Sequence, residues 1–352
     1  MSRFIEHCRA NDRASATLET YEEKSKHYIV PKLGTVLLSK LRPTHILELV
    51  TELRTGGGQN GKPLSPKTVR NVFGLLHGAL EWALGLELVA RNVCHTSAAK
   101  PPRLSPSPAK ALADDEVAKL LTVANATRWG PFVTLALATG ARRGELCALS
   151  WSDVDFENKT VTIAKSLSQT KDRLELKGTK TGSVRRLGLS RLALEALRRQ
   201  RAMQIKDRRL AGADYNDEGA VFATLLGRRI TPMSATKAFV RLAKTAEIST
   251  TRLHDTRHTA ATHLIVGGTD VRTTASVLGH TTPNVTLSIY AHLVAEVQRA
   301  AVERLGATLE RISADGNRMA TVTPIAKKNA RKSERSLVEA RRLELLTLTL
   351  PA

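Results

Sequence analysis

The sequence predicts a mainly α-helical protein with a small antiparallel β-sheet, organised as two lobes. Apolar residues recur at three- and four-residue spacing along most of the chain, which is typical of amphipathic helices. Alternating apolar and polar residues, typical of strands, occur in the stretch 151–190. Four prolines between residues 101 and 108 interrupt the periodicity and predict a stiff linker between the lobes.

We assign residues 1–95 to a helical first lobe. The pair Ser65–Pro66 supplies an N-cap and a first-turn proline, which predicts the start of a helix. Pro31 and Gly34 predict the end of an earlier one. The predicted helices of this lobe are 15–30, 43–54 and 65–84.

Residues 96–110 form the predicted linker, residues 111–310 the second lobe, and residues 311–352 a basic, mobile tail without a core of its own. In the second lobe, two short strands joined by a turn at Glu157–Asn158 precede a third strand over 183–190. The remaining periodic segments predict helices over 114–124, 131–140, 191–204, 231–248, 254–268, 270–279, 281–291 and 295–310.

The charge of the chain favours a polyanionic partner. Its 352 residues include 54 Lys and Arg against 33 Asp and Glu, a net charge of +21. Aromatic residues make up only 4%, which disfavours proteins that stack single-stranded bases on exposed rings. Contacts to the backbone of double-stranded nucleic acid fit this composition better.

Several classes of protein are excluded by what the chain lacks. It has no apolar run of about 18 residues and no apolar N-terminal stretch, so neither membrane spanning nor secretion is expected, and we predict a cytoplasmic protein. Acidic lipid surfaces are a weaker alternative to nucleic acid as the polyanionic partner. The three cysteines, Cys8, Cys94 and Cys147, lie far apart, which leaves neither a disulfide framework nor a thiolate zinc site.

Four clusters in the second lobe carry residues suited to chemistry: ATGARRGELCALSW, KGTKTGSVRR, HDTRH, and LGH followed ten residues later by Tyr290. In this order they resemble the tyrosine recombinase, or phage integrase, family. The resemblance runs from about residue 15 to residue 305. It implies that the first lobe is a core-binding domain, that the second is an α+β catalytic domain, and that the two lobes clamp a DNA duplex.

The resemblance makes Arg142 and Arg257 a clamp for a phosphodiester. A planar guanidinium pairs with two phosphate oxygens at once, which suits the charge of a pentacoordinate transition state. Arg142 follows the turn at Thr139–Gly140, and Arg143 is the competing candidate. Glu145, three residues after Arg142, is positioned on the same side of the predicted helix to orient a guanidinium.

Histidines of the second lobe supply the groups that hydrogen-bond phosphate or handle protons. His254, Arg257 and His258 share one helical face by their spacing, with His258 in a supporting role. The resemblance assigns phosphate contact or proton transfer to His254 and His280. HDTRH also has the spacing of a zinc-binding H-E-x-x-H helix, but Asp255 is shorter than Glu, Arg257 is a cation, and no third ligand is signalled.

The resemblance makes Tyr290 the nucleophile and Lys180 a proton donor. A phenol is a modest nucleophile, so Tyr290 requires a neutralised phosphate and a nearby base, a role we offer to His280. Comparison of KTGSVRR with the family's K-T-x-x-S-R-R form selects Lys180, and Lys177 is its alternative. Arg185 and Arg186 are expected to contact the DNA backbone or to be surface charges.

The resemblance therefore implies a metal-independent, site-specific DNA recombinase of a mobile element or chromosome, working through a 3′-phosphotyrosyl intermediate. No metal or other cofactor is implied. The expected partners are double-stranded DNA, three further copies in a homotetramer on paired sites, and an accessory DNA-bending or directionality factor. A type IB topoisomerase and a catalytically silent DNA-binding regulator are the alternatives.

Overall fold

A computed structural model describes residues 1–58, 61–95, 100–104, 110–171, 173–179, 182, 184–248 and 251–319. The predicted fold class is confirmed: helices predominate, accompanied by small antiparallel sheets. The chain divides into two compact units, Met1–Leu293 and a second that begins at Val294. In the part of the chain that is described, no helix is long and apolar enough to cross a membrane.

The first 95 residues form a helical bundle with its own apolar core. Its helices are α1 (Ser2–Ala10), α2 (Ser15–Lys24), a π-helical turn (Ser25–Ile29), α3 (Val30–Leu33), α4 (Pro43–Thr55) and α5 (Pro66–Gly85). The core packs Ile46, Leu49 and Val50 of α4 against apolar residues of α5 that include Val69, Val72 and Leu76. The side chain of Ser65 accepts a hydrogen bond from the Thr68 amide, as expected of an N-cap.

Two predictions for this lobe were wrong. A helix, α1, already begins at Ser2, ahead of the predicted start at Ser15. The helix that begins at Ser15 also continues past Pro31 to Leu33, because the proline lies in the first turn of α3, where its missing N–H costs little.

In the described part of the second lobe, five helices supply buried residues to the larger apolar core, whose members lie between Leu112 and Leu253. They are α6 (Asp114–Asn125), α7 (Gly130–Thr139), α8 (Arg143–Ala148), α9 (Arg191–Ala211) and α10 (Pro232–Thr245). Two further helices, α11 (Asp255–Val266) and α12 (Val271–Leu278), contact each other, and α11 also contacts α7. The domain boundaries at 95 and 111 remain a prediction, since linker residues 96–99 and 105–109 lie outside the described residues.

Among the described residues, five strands form two separate antiparallel sheets. The three predicted strands are β1 (Val154–Asp155), β2 (Thr160–Ile163) and β5 (Arg185–Gly188), which pair in the order β1-β2-β5. A hairpin that was not predicted lies between them in sequence, formed by β3 (Lys165–Gln169) and β4 (Leu174–Gly178). Leu167 is the one buried residue of these two strands, so the hairpin lacks the buried apolar face on which strand prediction depends.

The missed hairpin contacts the first lobe. Lys171, at its turn, donates from its backbone amide to Glu19 and forms a 2.6 Å ion pair with Glu23. On β4, Glu175 accepts a 3.0 Å hydrogen bond from Ser15. The β3–β4 hairpin is therefore attached to the start and the middle of α2.

The helical segment α13 (Pro283–Met319) covers both short helices predicted after residue 281, and a kink divides it into two helices. Tyr290 interrupts it with non-helical backbone angles, φ −115° and ψ 18°. The helix continues past the predicted start of the tail at residue 311, and residues 320–352 lie outside the described part of the chain.

Candidate active site

Arg142 lies at the start of α8, close to the ends of α7 and α12, each of which is capped by a glycine. Helix α7 ends at Gly140, whose φ of +59° is in the left-handed region, and Arg142 is the N-cap of α8. The Arg142 guanidinium donates to Glu145 at 2.9 Å and to the carbonyl of Gly279 at 2.9 Å. The competing Arg143 lies outside this cluster and donates to Thr236 on α10.

Glu145 joins two arginines from distant parts of the chain. Its carboxylate is 2% exposed and also accepts 2.6 Å and 3.2 Å hydrogen bonds from Arg185. Burial opposes its ionisation, but the ion pairs with Arg185 and Arg142 outweigh that effect and lower the pKa of Glu145. Glu145 is therefore a buried anion that orients both guanidinium groups.

The expectation that Arg185 contacts DNA or lies at the surface was wrong. Arg185 is buried on β5 and donates from Nε to the carbonyl of Val277 at 3.0 Å. A buried carboxylate requires a buried partner, and Arg185 supplies it to Glu145. Its neighbour Arg186 is exposed and forms an ion pair with Asp155.

Arg257 is held inside the site by backbone carbonyls. It is 3% exposed, and its Nη1 donates to Gly140 at 2.8 Å and to Leu278 at 2.7 Å. Its Nη2 is buried and has no hydrogen-bond partner among the described residues. Burial and the nearby Arg142 lower the pKa of Arg257 to about 9, which still leaves it charged at neutral pH.

His254 and His258 lie one helical turn apart around the start of α11. Their rings pack edge to face with centroids 5.1 Å apart. Burial, together with the charge of Arg257, lowers the pKa of both, that of His254 to about 4. Asp255, between them in sequence, is buried and accepts a 2.7 Å hydrogen bond from the Arg252 amide.

His280 follows Gly279, which ends α12 in the left-handed conformation. Its Nδ1 lies 2.7 Å from the hydroxyl of Thr286, a buried residue of α13. Burial and the neighbouring Arg257 and Arg142 lower the pKa of His280 to about 4. His280 is thus neutral at physiological pH.

Tyr290 lies buried in the same site. Its side chain is 2% exposed, and its Oη lies 2.6 Å from Nδ1 of His258. Burial raises the pKa of Tyr290 to about 12, against the opposing effect of Arg257. His280 was the residue predicted to be the neighbouring base, whereas the residue that contacts the phenol is His258.

Of the two candidate lysines, the structure describes only Lys177. Lys180 lies outside the described residues, together with Thr181 and Ser183. Its alternative, Lys177, lies on β4 opposite Ser166 and forms a 2.7 Å ion pair with Glu175. The choice of Lys180 stays a prediction.

A possible metal site occurs elsewhere in the described chain, in the first lobe. His77, Glu81 and His95 bring three metal-type ligand atoms within 4.8 Å of one another. Glu81 Oε1 already lies 2.5 Å from Asn92 Nδ2 and 2.6 Å from His95 Nε2, so hydrogen bonds account for this cluster. The site around Arg257 offers arginines, neutral imidazoles and a phenol, groups that bind an anion and attack it.

A family model described as the phage integrase family matches residues 110–296. The chain belongs to the phage integrase family. The match covers more than half of the chain and includes every described residue of the site.

Relatives and solved structures of this family resemble the chain over most of its length. A tyrosine recombinase XerC-like protein of Caldanaerobacter subterraneus is 27% identical, over 83% of this chain and 78% of the relative. The tyrosine recombinase XerD of Mycobacterium tuberculosis is 28% identical, over 76% and 84%. This phage integrase family member is thus a tyrosine recombinase, an enzyme of site-specific DNA cleavage and rejoining.

Solved structures of integrases share the fold of this chain. The Tn1549 transposon integrase, solved with circular intermediate DNA, superposes with a TM-score of 0.71 at 22% identity, covering 85% of this chain and 97% of that one. A λ integrase dimer bound to a core site gives 0.60 at 19%, covering 81% and 94%. The recombinase therefore has the integrase fold.

Proposed function

We propose that this recombinase cleaves duplex DNA by attack of Tyr290 on a phosphodiester held by Arg142 and Arg257. The observation that carries this proposal is the buried Nη2 of Arg257, which has no partner in the described part of the chain. A buried guanidinium N–H without an acceptor is costly, and a phosphate oxygen would satisfy it.

The two arginines would stabilise the charge that develops during the reaction. A phosphodiester passing through a pentacoordinate state places additional negative charge on its non-bridging oxygens. Arg142 and Arg257 are both oriented by carbonyls, those of Gly279 for Arg142 and of Gly140 and Leu278 for Arg257. Donors fixed in this way need no reorganisation when that charge appears.

Tyr290 would form a 3′-phosphotyrosyl link as the 5′-hydroxyl of the cleaved strand departs. The hydroxyl of a partner duplex would then attack the link and release Tyr290. Because the energy of the broken bond is retained in the covalent intermediate, rejoining requires no high-energy cofactor. His254 and His280 would hydrogen-bond the phosphate, and Lys180 would donate the proton that the departing oxygen needs.

The proposed partners are double-stranded DNA and three further copies of the chain. A λ integrase tetramer solved on a Holliday junction has a TM-score of 0.61 with this chain at 19% identity, covering 82% of this chain and 75% of that one. The net charge of +21 also supports binding to a duplex. An accessory DNA-bending or directionality factor completes the proposed assembly.

Trapping of the covalent intermediate tests this proposal. The wild-type protein and Tyr290→Phe are incubated in EDTA with a pool of nicked duplexes covering the DNA that flanks the gene. On a denaturing gel, we expect a protein–DNA adduct with wild type and none with Tyr290→Phe, while both bind DNA equally. Tyr215→Phe, which removes another phenol, is the matched control and should form the adduct.

Other outcomes identify the alternatives. An adduct that survives Tyr290→Phe would show that a different residue is the nucleophile. Binding to every duplex without an adduct would indicate a regulator. Relaxation of supercoiled plasmids of unrelated sequence by a monomer would indicate a topoisomerase.

A further inference from the structure

We propose that His258 is the general base that removes the proton from Tyr290. This inference rests on the proposed role of Tyr290 as the nucleophile. It assigns a catalytic role to the histidine that directly follows the clamp residue Arg257.

The geometry of the pair carries the inference. Nδ1 of His258 lies 2.6 Å from Oη of Tyr290, although the residues are 32 positions apart and belong to different helices. A general base has to lie within about 2.6–3.2 Å of the group that it deprotonates. Tyr290 also departs from helical backbone angles within α13, which is the local geometry that accompanies this contact.

The other histidines of the site are engaged elsewhere. Nδ1 of His280 pairs with Thr286 Oγ1 at 2.7 Å. His254 packs its ring edge to face against His258. Among the described residues, His258 is therefore the histidine in hydrogen-bond contact with the phenol.

The charges around His258 leave its imidazole able to accept a proton. Burial and the cations Arg257 and Arg252 lower its pKa, while the buried carboxylate of Asp255 raises it. The neutral form is therefore present at pH 7, and its Nδ1 can accept the phenolic hydrogen. Two further titratable groups interact electrostatically with it: His254, the N-cap of α11, and His280, which follows Gly279 at the end of α12.

In the proposed step, His258 takes up one proton and Lys180 gives up another. The Oη lone pair of Tyr290 forms the bond to phosphorus while the phenolic proton moves to Nδ1 of His258. The P–O5′ bond breaks, and the 5′-oxygen leaves with the bonding electrons and takes a proton from Lys180. The imidazolium that results lies near Asp255, and it returns the proton to Oη when the link is resolved.

The decisive variant is His258→Asn. Asparagine places an oxygen near the position of Nδ1, so it retains a hydrogen bond to Tyr290 but cannot take up the proton. We expect single-turnover adduct formation on a nicked duplex to slow about 10²–10⁴-fold, the usual contribution of a general base. In wild type the rate should rise with pH to an inflection below about 6.5, the ordinary value for histidine, and this inflection should disappear in His258→Asn.

A second substrate separates a base from an acid. With sulfur in place of the bridging 5′-oxygen, the leaving thiolate needs no proton. Lys180→Ala should then recover most of its rate, whereas His258→Asn should stay slow. Recovery of His258→Asn on the sulfur substrate would overturn the inference, because it would mean that His258 assists the leaving group.

Controls distinguish this inference from the proposed function and from misfolding. His263→Asn changes an exposed histidine of the same helix, outside the site, and should react like wild type. If His258→Asn is unstable, the test uses His258→Gly, whose rate of adduct formation should be restored by added imidazole. Failure of imidazole to restore that rate would overturn the inference. If wild type forms the adduct and His258→Asn forms it equally fast, the role of His258 as the base is refuted but the proposed function is not. If no adduct depends on Tyr290, the proposed function itself is refuted.

Discussion

Individual arginines of the site are positioned by main-chain oxygens. Arg257 donates to the carbonyls of Gly140 and Leu278, and Arg142 donates to the carbonyl of Gly279. The ends of two helices therefore orient both guanidinium groups. A planar fork uses such contacts on one edge and leaves the other for a phosphate. A lysine side chain of similar length has its donors on one nitrogen, so it lacks this planar geometry.

We predict from this arrangement that Arg257→Lys loses most of its cleavage activity. The rate of adduct formation should fall about 10²–10³-fold, as when one preorganised donor to a transition-state anion is removed. DNA binding, measured by gel shift, should change little, because the chain has 54 Lys and Arg residues and a single one is altered without loss of its charge. Arg143→Lys is the control: this exposed residue contacts Thr236 and should keep wild-type activity. Near-normal turnover of Arg257→Lys would remove Arg257 from the clamp.

At the scale of elements, the ends of α7 and α12 build the site. Both helices end in a glycine with left-handed backbone, Gly140 and Gly279, and both glycines offer their carbonyls to arginines. A Cβ on Gly140 would lie 2.6 Å from Leu278, and one on Gly279 would lie 2.6 Å from Nη1 of Arg185. The two termini therefore require glycine both for conformation and for space.

Gly279→Ala should consequently destabilise the protein. A left-handed conformation costs a non-glycine residue about 1–2 kcal/mol, and the contact with the buried Arg185 adds to that. Urea unfolding measures the free energy of unfolding. Gly188→Ala on β5 is the control, since a Cβ there meets nothing within 4 Å and its φ is not positive. Equal stability of the two variants would contradict this account of the α12 terminus.

The strands illustrate a limit of prediction at the same scale. Strands β2 and β5 have the alternating burial that their sequences predict, as in β2, where Val161 and Ile163 are buried. In the β3–β4 hairpin, Leu174 and Leu176 are exposed, and the strands are held by pairing with each other. Such pairing is a long-range backbone interaction, so the sequence carries little sign of it.

For the whole molecule, the buried ionisable groups of the site make stability depend on pH. His254 and His280 have pKa values of about 4, below the ordinary value near 6.5, so the unfolded chain binds their protons more strongly. Stability is therefore lost as pH falls from about 6.5 towards 4. The lowered pKa of Glu145 has the same sign and extends the loss as pH falls below about 4.5.

We therefore predict that the melting temperature without DNA falls as pH is lowered from 7 to 4.5. Differential scanning calorimetry at several pH values measures it. The double variant His254→Gln with His280→Gln should show a shallower dependence across this range, whereas His263→Gln, which removes an exposed histidine, should not. A melting temperature that stays constant from pH 7 to 4.5 would contradict the assigned pKa directions.

The sequence by itself determined most of the helices, the helical first lobe and the residue types of the site. These features depend on local signals: three- and four-residue apolar spacing, the N-cap at Ser65, and motifs such as HDTRH in which neighbouring residues act together. Family resemblance then ordered those motifs into one kind of chemistry. Each of these signals involves residues that are close in sequence, so it can be recognised without knowledge of the tertiary structure.

Only the tertiary structure decided which side chains meet. It buried Arg185 against Glu145, 40 positions away, put Arg142 rather than Arg143 beside Gly279, and paired Tyr290 with His258 instead of His280. Each of these contacts joins elements that are distant in sequence. They follow from the need of a buried charge or hydroxyl for a partner, which is satisfied by whatever the packing brings near, and no local pattern specifies that neighbour.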